Sequence, residues 1–224
     1  MTGWIKGHLE DKGSPGGQYG GRIPPGAAME LTTWQQYADQ LHRILSSLAC
    51  TDRCRKAIAT DGALDLWRQW TLDLRGRCGT VYLIGNGASA SMASHLSADL
   101  AKNAGLHTQV FSDLSLITAI SNDMGYEHVF AEPLRRRGRP IDMLVAISSS
   151  GRSPNVLAAT EVARDLEMTI VTLSSMSPDN PLRSRGQLNL HVAASTYGMA
   201  ENCHAAVLHR WADLVRLENV NTHG

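Results

Sequence analysis

The chain has no excess charge of either sign: 21 Lys and Arg side chains cancel against 21 Asp and Glu. Such a balance builds no field that would gather nucleic acid or anionic lipid, so a binder of phosphate backbones is disfavoured. Long hydrophobic runs are missing as well. No stretch approaches the roughly 20 apolar residues that a bilayer helix needs, and residues 1–28 lack the apolar centre of a secretory signal. A cytoplasmic protein with no membrane and no nucleic-acid partner is expected. Cysteine is scarce: Cys50, Cys54, Cys78 and Cys203 are too few for a disulfide scaffold and lack zinc-ribbon spacing, so reduced thiols are expected. Cys50 and Cys54, four apart, read as one helix face without a His nearby to complete a metal site.

With 224 residues, 43% of them hydrophobic, the chain can bury one good core but not two ordinary domains. Residues 1–28 hold Gly13-Ser14-Pro15-Gly16-Gly17, Gly20-Gly21 and Pro24-Pro25-Gly26. That density of backbone breakers reads as a disordered leader or an upstream extension, with a single domain over 29–224. From Leu31 to about Leu48 apolar residues recur at spacings of three and four, the stripe of an amphipathic helix, and a second such stripe includes Leu64, Trp67, Trp70, Leu72 and Leu74. Those tryptophans read as core or subunit contacts.

After Gly79 short apolar strands alternate with helices. The strands are Val81–Ile84, Gln109–Phe111, Leu144–Ile147, Thr169–Leu173 and Leu188–Val192. The helices run to about Ala104, from Leu116 to Ser121, from Pro154 to Leu166 and from about Met199 to Leu217. Alternation implies parallel pairing through right-handed crossovers, and strands without polar alternation fit a sheet covered on both faces. The expected fold is α/β, a three-layer open sandwich whose mainly parallel sheet is flanked by helices, in the flavodoxin-like manner.

Open parallel sheets bind ligands beyond the carboxyl ends of their strands. Gly85-Asn86-Gly87-Ala88-Ser89 follows the first strand of this alternation. It lacks the third glycine of a dinucleotide fingerprint and the lysine of a P-loop, so by itself it is a phosphate turn or only a tight connection. Ser148-Ser149-Ser150-Gly151-Arg152-Ser153-Pro154-Asn155 is more specific. Ser153 suits an N-cap and Pro154 the first helical position. Hydroxyls beside free backbone N–H groups at the positive end of a helix dipole would hold a phosphate monoester without lysine. The bland alternative is a serine-rich loop before a capped helix, and Arg152 either adds charge or points to solvent.

Together with Ser121-Asn122-Asp123 and Gly125-Tyr126, these segments resemble the successive signatures of the sugar isomerase (SIS) domain, and most closely those of its phosphoheptose isomerase branch, over about Met29 to Leu217. The resemblance implies the SIS fold and isomerisation of sedoheptulose 7-phosphate to an aldoheptose 7-phosphate for nucleotide-activated heptose biosynthesis. It implies a homotetramer with sites at subunit interfaces, and zinc. It places phosphate contacts on Ser89, Ser148, Ser149, Ser150 and Ser153, with Ser149 where the family has threonine, and sugar contacts on Asn86 and Asp123. A non-catalytic SIS protein, sensing a sugar phosphate or binding the replication initiator DnaA, is the rival reading; an isomerase of hexose or pentose phosphates is another.

His95 and Asp99, four apart after the glycine turn, project from one helix face with Ser91, either as a ligand pair or as a solvated pair. On the last helix His204 falls inside the apolar arc and reads as a core histidine satisfied by a hydrogen bond. Glu201 and His209 fall at the edge of that arc, about 80° apart. By resemblance His95, Asp99, Glu201 and His209 line the site and ligate zinc, with Asp99 as base, His209 as its acid/base partner and Glu201 orienting substrate or metal. Asp99 stands where the branch has Glu, and Glu201 where it has Gln. The shortened Asp99 raises a second expectation, that Glu201 has taken over as base. The run Arg135-Arg136-Arg137 with Arg139 reads as a solvated loop or an interface ion-pair group rather than a nucleic-acid patch.

Overall fold

The structure, a computed structural model, describes residues 33–221, with side chains described through residue 217. The expected leader, residues 1–28, lies outside the described residues. Helix α1 (Trp34–Ser46) opens with a capping box, in which the Thr33 side chain accepts from the Gln36 backbone and Gln36 returns the bond. Such a reciprocal pair satisfies two of the orphan donors at a helix start. Helix α2 (Thr60–Gly76) follows, and the alternating segment then gives β3 (Thr80–Ile84), α3 (Ala88–Ala104), β4 (His107–Gln109), α4 (Leu114–Met124), α5 (Ala131–Arg137), β5 (Met143–Ser148), α6 (Pro154–Asp165), β6 (Thr169–Ser175), β7 (Leu188–Val192) and α7 (Tyr197–Asn221).

Two strands and helix α5 escape the sequence reading. Strands β1 (Ala49–Thr51) and β2 (Ala57–Ile58) form an antiparallel hairpin that adds to β7. Cys50 therefore lies in a strand and Cys54 in the turn after it, which corrects the helix face expected for the pair; strands of three and two residues are too short to show a period. All four cysteines are free thiols. The arginine run is corrected as well: Arg135–Arg137 form the last turn of α5, where Arg135 and Arg136 both pair with Glu132. Cations there also complement the negative end of the helix dipole. The fourth strand is two residues earlier than expected, because the pairing partner of Tyr82 is Gln109 and the chain leaves the sheet there.

The sheet order is β2-β1-β7-β6-β5-β3-β4, parallel from β7 to β4. Every residue of β5 is buried, as a strand covered on both faces requires. Helices α2, α3 and α7 pack one face around Trp67, Leu96, Leu100 and Trp211, and α4, α5 and α6 pack the other around Leu134, Val156 and Ala163. Trp67 and Trp211 stack at 4.1 Å between ring centroids. Trp211 Nε1 donates to Thr71 Oγ1 at 3.0 Å, and that hydroxyl donates in turn to Trp67 O at 2.8 Å. All three residues are fully buried. Thr71→Val, which strands the indole N–H in an apolar setting, is expected to cost about 1–3 kcal/mol, read as a lower urea midpoint at unchanged slope.

From β3 the chain steps to β4 on one side and then crosses to β5 on the other. The loops after β3 and β5 consequently depart toward opposite faces, α3 to one and α6 to the other. A crevice between neighbouring strands follows from that reversal, at their carboxyl ends.

Candidate active site

Both sequence motifs fall at this crevice. The turn after β3 is tight: a Cβ on Gly85 would lie 2.5 Å from Ser89 Cβ and 3.0 Å from Ile147 O, so only glycine fits between the start of α3 and the end of β5. Ser89 is buried in the first turn of α3. After β5, Ser148 and Ser149 are buried, Ser150 is half-buried and accepts from the Arg152 backbone at 3.2 Å, and Arg152 points to solvent. Ser153 holds the N-cap position of α6 with Pro154 following, yet its side chain makes no cap bond. Its hydroxyl turns instead to Ser148 Oγ at 3.1 Å. Two hydroxyls are thereby gathered beside N–H groups at the start of α6, the arrangement that receives an anion.

Asn86 and Asn155 exchange side-chain amides across the crevice. Asn86 Nδ2 donates to Asn155 Oδ1 at 2.9 Å and Asn155 Nδ2 to Asn86 Oδ1 at 2.8 Å. Tyr126 OH donates to the same Asn86 oxygen at 3.2 Å, and Asn155 Oδ1 also accepts from the Val156 backbone. Most of the Asn86 amide is thus spent on clasping the β3 turn to the α6 start. Nothing within either segment points to the pairing of Asn155 and Tyr126 with Asn86; the strand order creates it. Asp123 is exposed near the end of α4 and accepts from Asn122 at 2.9 Å.

Helices α3 and α7 pack against each other on one face of the sheet. This contact brings together residues more than a hundred positions apart. Ligand atoms of His95, Asp99 and His209 all lie within 4.8 Å of one another, and the two imidazole rings are 5.2 Å apart. Asn103, one turn beyond Asp99, donates to Asp99 Oδ1. Both histidines are exposed and Asp99 is half-buried. Glu201 of the same chain is not part of this group. On α7 it precedes His209 by eight residues, about 12 Å along the axis, so a shared edge of the helix does not make a shared site within one chain.

His204 is buried as expected, its Nε2 bonded to Ser174 O at 3.1 Å. His191 Nδ1 lies 3.3 Å from Ser174 Oγ. Burial pushes both imidazoles down to about 4, helped for His191 by the nearby Arg183 and His204. Both are neutral near pH 7 and belong to the packing of β6 against β7 and α7.

The sequence profile of the SIS domain matches residues 72–175. Phosphoheptose isomerase of Helicobacter pylori is 35% identical over 143 residues, which cover 61% of this chain and 74% of that protein. The Akkermansia muciniphila phosphoheptose isomerase is 33% identical over 144 residues, covering 62% of this chain and 76% of its own length. Among solved structures, phosphoheptose isomerase from Neisseria gonorrhoeae superposes with a TM-score of 0.69 at 25% identity, covering 81% of this chain and 96% of that one.

Proposed function

We propose, from the premise that this chain belongs to the phosphoheptose isomerase family of SIS-domain proteins, that the crevice and the His95–Asp99–His209 cluster together isomerise a sugar phosphate. The protein is an aldose–ketose isomerase, and its reaction is sedoheptulose 7-phosphate to D-glycero-heptose 7-phosphate through an enediolate. The observation that carries this reading is the convergence of two imidazoles and a carboxylate from α3 and α7 within 4.8 Å. A domain that only bound a phosphate would have no use for that convergence.

The chemistry requires a base for the proton on the carbon beside the carbonyl, stabilisation of the enediolate oxygen, and an acid that returns a proton. Asn103 engages Asp99 Oδ1, which leaves Oδ2 to serve as base. His209 moves the proton at the sugar oxygen. Ser89, Ser148, Ser149, Ser150 and Ser153 hold the phosphate, and Asp123 takes a sugar hydroxyl. Asn86 serves chiefly to keep the two phosphate loops in register.

Two imidazoles and one carboxylate, with a fourth position open, are a donor set suited to catalytic zinc. His95, Asp99 and His209 would hold it, with one Asp99 oxygen given to the metal and the other kept for the proton, and zinc there would supply Lewis-acid stabilisation of developing negative charge. Glu201 enters the site only from another copy, in a homotetramer with interfacial sites; the exposure of His95 and His209 supports that assembly. A cytoplasmic location without nucleic-acid partners belongs to the same reading, supported by four free thiols and balanced charge. No described helix is long and apolar enough to cross a membrane.

The test is NMR of sedoheptulose 7-phosphate turnover by metal-free and zinc-loaded protein, with metal content measured alongside. Aldose formation and about one zinc per chain, lost in His95→Ala, are expected. No aldose under either condition would leave a sugar-phosphate-binding protein.

A further inference from the structure

We infer that Asn180, a residue outside every motif, is a positioning residue that sets the shape of the phosphate loop from beneath; the inference rests on the reading of 148–153 as that loop. Asn180 is fully buried in the segment between β6 and β7. Its Oδ1 accepts from the Arg183 backbone at 3.2 Å, and its Nδ2 is shared among Ser177 O at 2.8 Å, Ser174 Oγ at 3.2 Å and Ser175 O at 3.3 Å. An amide with both ends engaged in a dry setting has one orientation.

That orientation presses the amide against Gly151. A Cβ on Gly151 would overlap Asn180 Oδ1 and Cγ, and the glycine holds φ +62°, which a side chain resists. Further bonds close the contact. Gly151 N donates to Ser148 O at 2.9 Å, Leu182 N to Gly151 O at 3.2 Å, and Ser175 N to Ser149 O at 3.0 Å. Gly151 lies between Ser150 and Ser153, so its position decides where the hydroxyls and N–H groups of the loop converge. Neighbouring segments thus supply what the loop's own sequence does not, a rigid floor. Through Ser174 the same amide is joined to His191 and, by the Ser174 carbonyl, to His204 on α7.

The consequence is specific to phosphate. Asn180→Ala removes the floor and both ends of the amide while leaving every loop hydroxyl in place. Binding of inorganic phosphate, measured by calorimetry at pH 7.5, is expected to weaken about tenfold, with KM for the sugar phosphate rising equally and kcat changing little. Zinc content should stay at its wild-type value. A merely structural role would instead lower the melting temperature and the active fraction, with phosphate affinity and KM unchanged in the folded protein. Gly151→Ala presses on the same contact from the other side and serves if Asn180→Ala fails to fold. It should weaken phosphate binding too, and in the double variant the two effects should be less than additive.

Wild-type protein that binds phosphate without turning over substrate would count against the isomerase reading and leave the Asn180 comparison intact. Unchanged phosphate affinity in whichever variants fold, or no phosphate binding by wild type, overturns the role assigned to Asn180.

Discussion

Asp99→Asn is expected to lower kcat by about a thousandfold, with much less change in KM for the sugar phosphate. The amide keeps the size and one oxygen of the carboxylate but cannot take a proton from carbon. Phosphate affinity should hold because the serine loop after β5 is built from other segments. The comparison with Glu201→Gln, with zinc content measured in both variants, decides between the two candidate bases. Asp99 lies within 4.8 Å of both imidazoles, whereas Glu201 is two turns of α7 from His209. Loss of turnover in Asp99→Asn with retention in Glu201→Gln is the expected pair of results. The reverse pair would assign the base to a Glu201 contributed by another copy.

Acid is expected to destabilise the fold through His204 over a defined window. Burial holds this imidazole at about 4 against an ordinary 6.5. The unfolded chain therefore binds a proton that the folded chain refuses, and stability rises with pH between those values. Above 6.5 neither state is protonated and this group contributes no slope. As pH falls from 6.5 to 4, His204 alone is expected to remove about 3 kcal/mol, at about 1.4 kcal/mol per pH unit. Below 4 the folded form takes the proton too, and the loss stops growing. His191, shifted in the same direction mainly by its burial, adds to the trend. Urea unfolding at pH 7, 6, 5 and 4 measures it. His204→Gln, which can still donate to Ser174 O but cannot titrate, should flatten the dependence by about one proton; parallel pH profiles for variant and wild type would exclude His204 as the source.

The lengths of the two kinds of element explain how far the sequence could be read. Helices such as α1 and α2 repeat their apolar stripe over several turns, β5 is apolar up to its final Ser148 and β6 is rich in β-branched residues, so periodicity and composition locate them. The β1–β2 hairpin has no such length, and its strands exist because β7 offers an edge to pair with. Ser153 shows a subtler limit. Its position as a cap was legible from Pro154 after it, while the direction of its hydroxyl was set by Ser148, which the sheet places opposite.

By itself the sequence determined the α/β alternation, the two phosphate-type loops after β3 and β5, and the separate residues suited to proton transfer. Those are local properties, written in spacing and residue chemistry along a few turns or one strand. Only the tertiary structure decided which of them meet. The α3–α7 packing joined His209 to His95 and Asp99 and left Glu201 out. The reversal of strand order paired Asn86 with Asn155, and the β6–β7 connection put Asn180 under Gly151. The physical reason is that helix rise and strand register convert small sequence offsets into fixed distances of several ångströms, and hydrogen-bond chemistry reaches only about 3 Å.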